Sequence, residues 1–329
     1  ELALAEVYLA GGKKEEGRSQ LEFAISHAPQ TGSDAMERVA RARVMVCLLA
    51  SEKNAGDVGA GDLAVARKAV EKLRPGTSKR DRLLAALGLI EARGLKEAGD
   101  VDGALEQYRI AFDAINRLCE AQPANQKLRE WRVGGLTEAA DLADGAGVVD
   151  AALQLRRQTA TELIALLDGN PKDVGIKTEL SEALGAISEA ALEAGDTLRA
   201  KEHALRGKRL IDEVVEGKAA TGEALVQLAG HKSVIAACDH SVGESDQALK
   251  MVDEGLEHVD QAEKMAQSSP MATFRKAMLK WQKSSLLGFA GKGADELKFG
   301  REARDHLAAL IKQKCEYPSV RQVRRALAY

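Results

Sequence analysis

The stretch EAGDVDGALEQYRIAFDA, residues 97–114, decides the fold, because its opening returns two periods later as EAGDTLRAKEHA, residues 193–204. Each copy puts a glycine in a short polar break, and each break separates two helical patterns. Working outward, Gly99, Gly147, Gly195, Gly243 and Gly291 stand 48 residues apart without a slip. A fixed period of this length marks a helix-turn-helix unit that buries its apolar face only against its neighbours.

Aligned on these glycines, the units show three columns of small residues. Five after come Ala104, Ala152, Ala200 and Ala248, with Glu296 the exception. Twelve after come Ala111, Thr159, Gly207, Gly255 and Ala303. Seven before come Ala92, Ala140, Ser188, Ala236 and Ser284. Small side chains at these offsets mark close helix crossings, where a larger group would force the helices apart at about 1–3 kcal/mol. Leu105, Leu153, Leu249 and Leu297 follow the first column and are expected to fill the seam.

Composition agrees. Ala, Leu, Glu, Lys and Arg dominate the 329 residues, aromatics are 3%, and proline occurs six times. These are strong helix formers, and no stretch alternates with the period of a strand. The expected class is all-α.

The quoted patterns resemble the turn and second helix of a tetratricopeptide repeat. The usual unit of that family is 34 residues. Here Pro123 and Pro171 lie 24 residues after their glycines, so each helix is longer by seven residues, about two turns, and keeps its inward face. Units of this length are similar to repeat arrays beside bacterial serine/threonine kinase domains. The resemblance implies a right-handed hairpin solenoid of about seven hairpins. Residues 1–78 would hold irregular hairpins turning at Gly12 and near Gly59, residues 79–314 the regular ones, and residues 315–329 a capping helix, all in one continuous array. The chain opens on Glu1 inside a helical pattern without an initiator Met, as expected of a segment of a longer protein.

No catalytic constellation is visible. The six histidines form no HExxH-type pair, and His231 with Cys238 lacks the further ligands a metal needs. The cluster Gly56, Gly59, Gly61 has neither the strand nor the Lys-Ser/Thr of a phosphate loop. Kinase HRD and DFG motifs are absent. We therefore expect no enzyme activity, no cofactor and no metal. Widely spaced cysteines, no apolar run of membrane length and no leader suggest a reducing, cytoplasmic setting and no membrane. A net charge of −3 argues against nucleic acid, although Arg301, Arg304, Arg321, Arg324 and Arg325 form a basic C-terminal stretch.

In the family, the first helix of each hairpin lines a groove. Its offsets before the turn glycine place Arg93 and Lys96 toward the N-terminus and Asp141, Asp144, Glu182, Glu189 and Glu193 in the middle. Met278, Trp281, Ser285 and Phe289 come toward the C-terminus. The acidic stretch would steer a basic segment of a protein or peptide partner, and the aromatic group would anchor it. The same acidic residues stand where chaperone-binding members need a basic clamp for a terminal carboxylate, which argues against a chaperone tail. The expected function is a non-enzymatic protein-interaction scaffold, in keeping with the interaction module of a bacterial signalling protein. Two alternatives are the sensor segment of an enzyme such as a serine/threonine kinase, and a helical-repeat nucleic-acid binder. Self-association through the open repeat ends is a further partner expectation.

Overall fold

Every regular element is a helix in the computed structural model, which describes residues 2–28, 32–51, 59–217, 220–265 and 269–312. The chain divides into two units, the first ending at Ala146 and the second starting at Gly147. The first holds α1 (Leu2–Ala10), α2 (Lys14–Ser26), α3 (Ser33–Ser51), α4 (Ala60–Glu71), α5 (Ser78–Glu97), α6 (Val101–Ala121) and α7 (Gln126–Ala146). The second holds α8 (Val149–Gly169), α9 (Val174–Glu193), α10 (Thr197–Glu216), α11 (Gly222–Ser241), α12 (Ser245–Met265), α13 (Pro270–Phe289) and α14 (Gly293–Lys312). Among the described residues there is no strand.

Each unit is a stack of helical hairpins. In the first, α1/α2, α3/α4 and α5/α6 pack as pairs and α7 lies against α6; in the second, α8 lies against α9, followed by the pairs α9/α10, α11/α12 and α13/α14. Six of the seven expected hairpins thus lie inside a unit. The helices of the seventh, α7 and α8, flank Gly147 and belong to different units. Beyond the irregular turn near Gly59, α4 is short, 12 residues, and ends before Arg74-Pro75-Gly76. The capping helix expected over 315–329, with Cys315, Arg321, Arg324 and Arg325, lies outside the described residues.

The turns explain the glycine ruler. Gly99, Gly147, Gly195, Gly243 and Gly291 all have positive φ, between 71° and 88°. Four of the turns also share one hydrogen-bond pattern. The amide after the glycine reaches back five residues, Asp100 to the Leu95 carbonyl and Asp196 to the Ala191 carbonyl, with Glu244 to Asp239 and Lys292 to Leu287 repeating it. This is a Schellman ending, and a side chain at the glycine would strain it. The next helix starts at once: the carboxylates of Asp100 and Asp196 accept from the amides of Gly103 and Arg199. An acid at this position caps the helix and opposes its dipole. The tetrapeptide E-A-G-D is therefore one helix stop and one helix start.

The small-residue columns sit where the helices meet. Ala104, Ala111, Ala92, Ala200, Ala248, Thr159, Ser188, Ala236 and Ala303 are all buried. A methyl added at Gly88 of α5 would stand 3.0 Å from the Ala111 Cβ of α6, and one at Gly255 of α12 would stand 3.1 Å from Leu279 of α13. Leu105, Leu153 and Leu249 are half-buried as expected, but Leu297 is 60% exposed. It stands on α14, the last described helix, and no later described helix stacks across that column.

One helix differs from the rest. On α11, 14 of the 20 residues are buried, including His231, Lys232, Ser233 and Asp239. It packs on α9 and α10 on one side and α12 and α13 on the other, so only residues near its ends, Glu223 and Ser241, are exposed. Three of these buried polar groups are answered from neighbouring helices. Lys232 donates to Glu254 at 2.6 Å, Ser233 to Gln282 at 2.8 Å, and Lys201 reaches Asp239 at 2.5 Å.

Candidate functional site

The first helices of the second unit's hairpins, α9, α11 and α13, lie side by side in that order. Between them is a cavity of about 600 Å³. Its walls carry Ser181, Glu182, Gly185 and Glu189 from α9, Glu223, Gln227, Gly230 and His231 from α11, and Arg275 from α13. Arg156 of α8 and Glu263 of α12 also line it.

Two local features shape the cavity. The first is a bridge over α11, where the Arg275 guanidinium meets the Glu189 carboxylate at 2.5 Å. The side chain runs past Gly230, where an added Cβ would come within 3.1–3.3 Å of the guanidinium. Glycine at 230 is what lets Arg275 lie this close to α11. The second is the His231 ring, which is 2% exposed. It lies over Gly207 of α10, where a methyl would come 2.2 Å from Cε1, and beside Gly185 of α9. Its Nε2 pairs with Ser181 Oγ at 2.9 Å.

Electrostatics hold this histidine neutral. Burial, first, and then the Arg275 and Lys208 charges push its pKa down to about 3, against the upward pull of the Ser181 contact. Its Nδ1 is buried with no hydrogen-bond partner, and so is Gln227 Oε1. The lining charges are four glutamates, Glu182, Glu189, Glu223 and Glu263, and two arginines. Glu189 is held by Arg275 and Glu263 by Lys276 at 2.7 Å.

The residues anticipated for a groove are only partly brought together. Glu182, exposed, and Glu189, half-buried, line the cavity. Glu193 is exposed on the last turn of α9 and is not part of the lining. Met278 packs against the buried cluster of Phe274, Ala277, Leu307 and Leu310 between α13 and α14. Ser285 is half-buried and Trp281 is 43% exposed. Phe289 is 76% exposed, its ring 4.8 Å from that of His240. None of these four lines the cavity.

In the first unit, Arg93 donates to both oxygens of Glu138, at 2.8 and 2.6 Å, and the buried Tyr108 hydroxyl donates to the same carboxylate at 3.1 Å. Burial, then the Glu138 charge, raises the Tyr108 pKa. This arrangement ties α5 and α6 to α7. Lys96, Asp141 and Asp144 are exposed.

Sequence reasoning passed over Gln227, Gly230 and Arg275, and weighed His231 only as a metal ligand beside Cys238. A signal existed for two of them, since Gln227 and Arg275 both stand 16 residues before their turn glycines. His231 gave none, because the space it fills is made by Gly207 on another helix. Among the described residues no set of three His, Cys, Asp or Glu side chains is placed to hold a metal ion, and no helix is long and apolar enough to cross a membrane.

No protein-family model matches the sequence, and no curated protein matches it. Solved structures do. The apo form of RapI is similar at a TM-score of 0.56 and 10% identity, over 94% of this chain and 76% of that one. A signal transduction ATPase with numerous domains and a tetratricopeptide repeat sensor, from Pyrococcus horikoshii, is similar at a TM-score of 0.56 and 10% identity. That match covers 96% of this chain and 43% of the ATPase. Taken with the hairpin stack and its glycine turns, these likenesses give the chain the fold of the tetratricopeptide-repeat superfamily.

Proposed function

We propose that this chain is a non-enzymatic scaffold that holds a segment of a protein partner against the first helices of its second unit. The observation that carries this reading is the cavity between α9, α11 and α13, a concave, mixed polar site built on rigid helices. Its four glutamates, set against two lining arginines and Lys276, favour a basic segment. The exposed Trp281 and Phe289 on α13 supply apolar area of the kind that dominates interface energetics.

A displayed peptide library selected on the full chain tests this. Selected peptides should carry Lys or Arg, and carbodiimide crosslinks should map to Glu182 and Glu223. Crosslinks confined to the second helices α10, α12 and α14 would contradict it.

A second reading has one supporting observation. The similar ATPase carries its repeats as a sensor, and this chain spans 43% of that protein. The scaffold would then serve as the sensor segment of a larger signalling protein, with a kinase as one form of it.

A further inference from the structure

The second unit holds three buried polar atoms without partners, and two of them belong to residues of the cavity wall. Gln227 Oε1 and His231 Nδ1 are shut from solvent without partners, and both residues line the cavity. Buried polar atoms in folded proteins are nearly always paired, and a turn of either side chain toward the cavity would bring its unpaired atom to where a ligand could answer it. The carbonyl oxygen of Gln227 calls for a donor. The neutral His231 offers a second acceptor at Nδ1 in the tautomer whose proton sits on Nε2 against Ser181 Oγ, and a donor there in the other.

Charge narrows the ligand further. Four glutamates and two arginines line the cavity and Lys276 holds Glu263, which leaves a net charge of −1, so a cation meets a weak net attraction. His231, kept neutral by burial, adds no opposing charge. The cavity already accommodates one guanidinium, that of Arg275, flat against Gly230 and paired with Glu189.

We propose that this cavity is the seat for an arginine side chain of the partner, whose guanidinium donates to Gln227 Oε1 and to the Glu182 and Glu189 carboxylates. A planar group with five donors suits a lining that offers acceptors from both α9 and α11. Lysine's ammonium has three donors, is more strongly hydrated, and costs more to desolvate. The proposal rests on the scaffold reading and sharpens it.

The test is a titration of the full chain, followed by ligand-observed NMR, with the blocked tripeptide acetyl-Gly-Arg-Gly-amide. Its lysine and citrulline counterparts are run beside it, citrulline keeping the shape and losing the charge. The arginine peptide should bind at least about tenfold more tightly than the citrulline peptide, and more tightly than the lysine one. Gln227→Met should weaken it by about tenfold. Glu223→Gln, at an exposed position, should weaken it by about twofold to threefold through the lost field. Circular dichroism confirms that each variant is folded. Equal binding of the arginine and citrulline peptides, or an unchanged affinity in both variants, would overturn the proposal. Library peptides that crosslink to Glu182 but ignore an arginine-to-citrulline change would leave the scaffold reading standing and remove this one. Tripeptide binding without any such crosslinks would do the reverse.

Discussion

His231 shows how one side chain couples packing to pH. It is a wedge between α9 and α10, made possible by Gly207 and Gly185 and fixed by Ser181. Gly207→Ala should expel the ring and cost about 1–3 kcal/mol. In a double-mutant cycle with His231→Ala the two costs should fall well short of additivity, because the second change removes the clash created by the first. The pH effect has a definite sign. Its folded pKa, about 3, lies below the usual 6.5, so the unfolded chain takes up a proton that the folded chain refuses. This residue's contribution is intact above pH 6.5 and is lost as pH falls toward 3. At 1.4 kcal/mol per pH unit, the protein should lose about 2 kcal/mol between pH 7 and pH 5 that His231→Leu does not lose. Urea unfolding at the two pH values measures it; parallel losses in both proteins would refute the assignment. None of this was legible in the sequence. The 48-residue register places Glu182 and Glu189 on one face, but the neighbours of His231 lie 24 and 46 residues away on other helices, and periodicity does not encode which glycine receives which ring.

At the scale of the element, the sequence was far more informative, for a physical reason. A Schellman turn needs a positive φ, glycine supplies it cheaply, and the acid after the glycine caps the next helix. Stop and start signals therefore recur at fixed positions wherever the hairpin recurs. Gly195→Ala should destabilise by about 1 kcal/mol through the left-handed backbone alone, with no steric clash, since nothing lies within 4 Å of the added methyl. Ala248→Leu, at a fully buried crossing, should cost about 1–3 kcal/mol. Thermal melts of the two variants separate backbone strain from overpacking; unchanged melts would count against the turn and the column respectively. Leu297 marks where the rule ends. The register predicts a seam residue there, but a seam needs a hairpin on its far side, and α14 has none among the described helices. The register also carries no information about α11, whose burial along most of its length follows from having helices on both sides.

For the whole molecule, the repeat sets a stack in each unit, and function follows from which faces the stack leaves concave. Acidic lining predicts electrostatic steering. Association with a selected basic peptide should slow markedly between 50 and 300 mM salt, roughly as the Debye length shrinks from about 14 to about 6 Å, while dissociation changes less. Stopped-flow kinetics would show it, and a salt-independent on-rate would argue for apolar capture at Trp281 and Phe289 instead. The central claim is a set of discrete hairpins in which α11 is the innermost helix of the second unit. Native-state hydrogen exchange on the full chain tests it most directly. The account predicts separate protected segments broken at Gly99, Gly147, Gly195, Gly243 and Gly291, with the amides of α11 the slowest in residues 147–312. Protection running unbroken through those glycines, or α11 exchanging faster than α13, would contradict it.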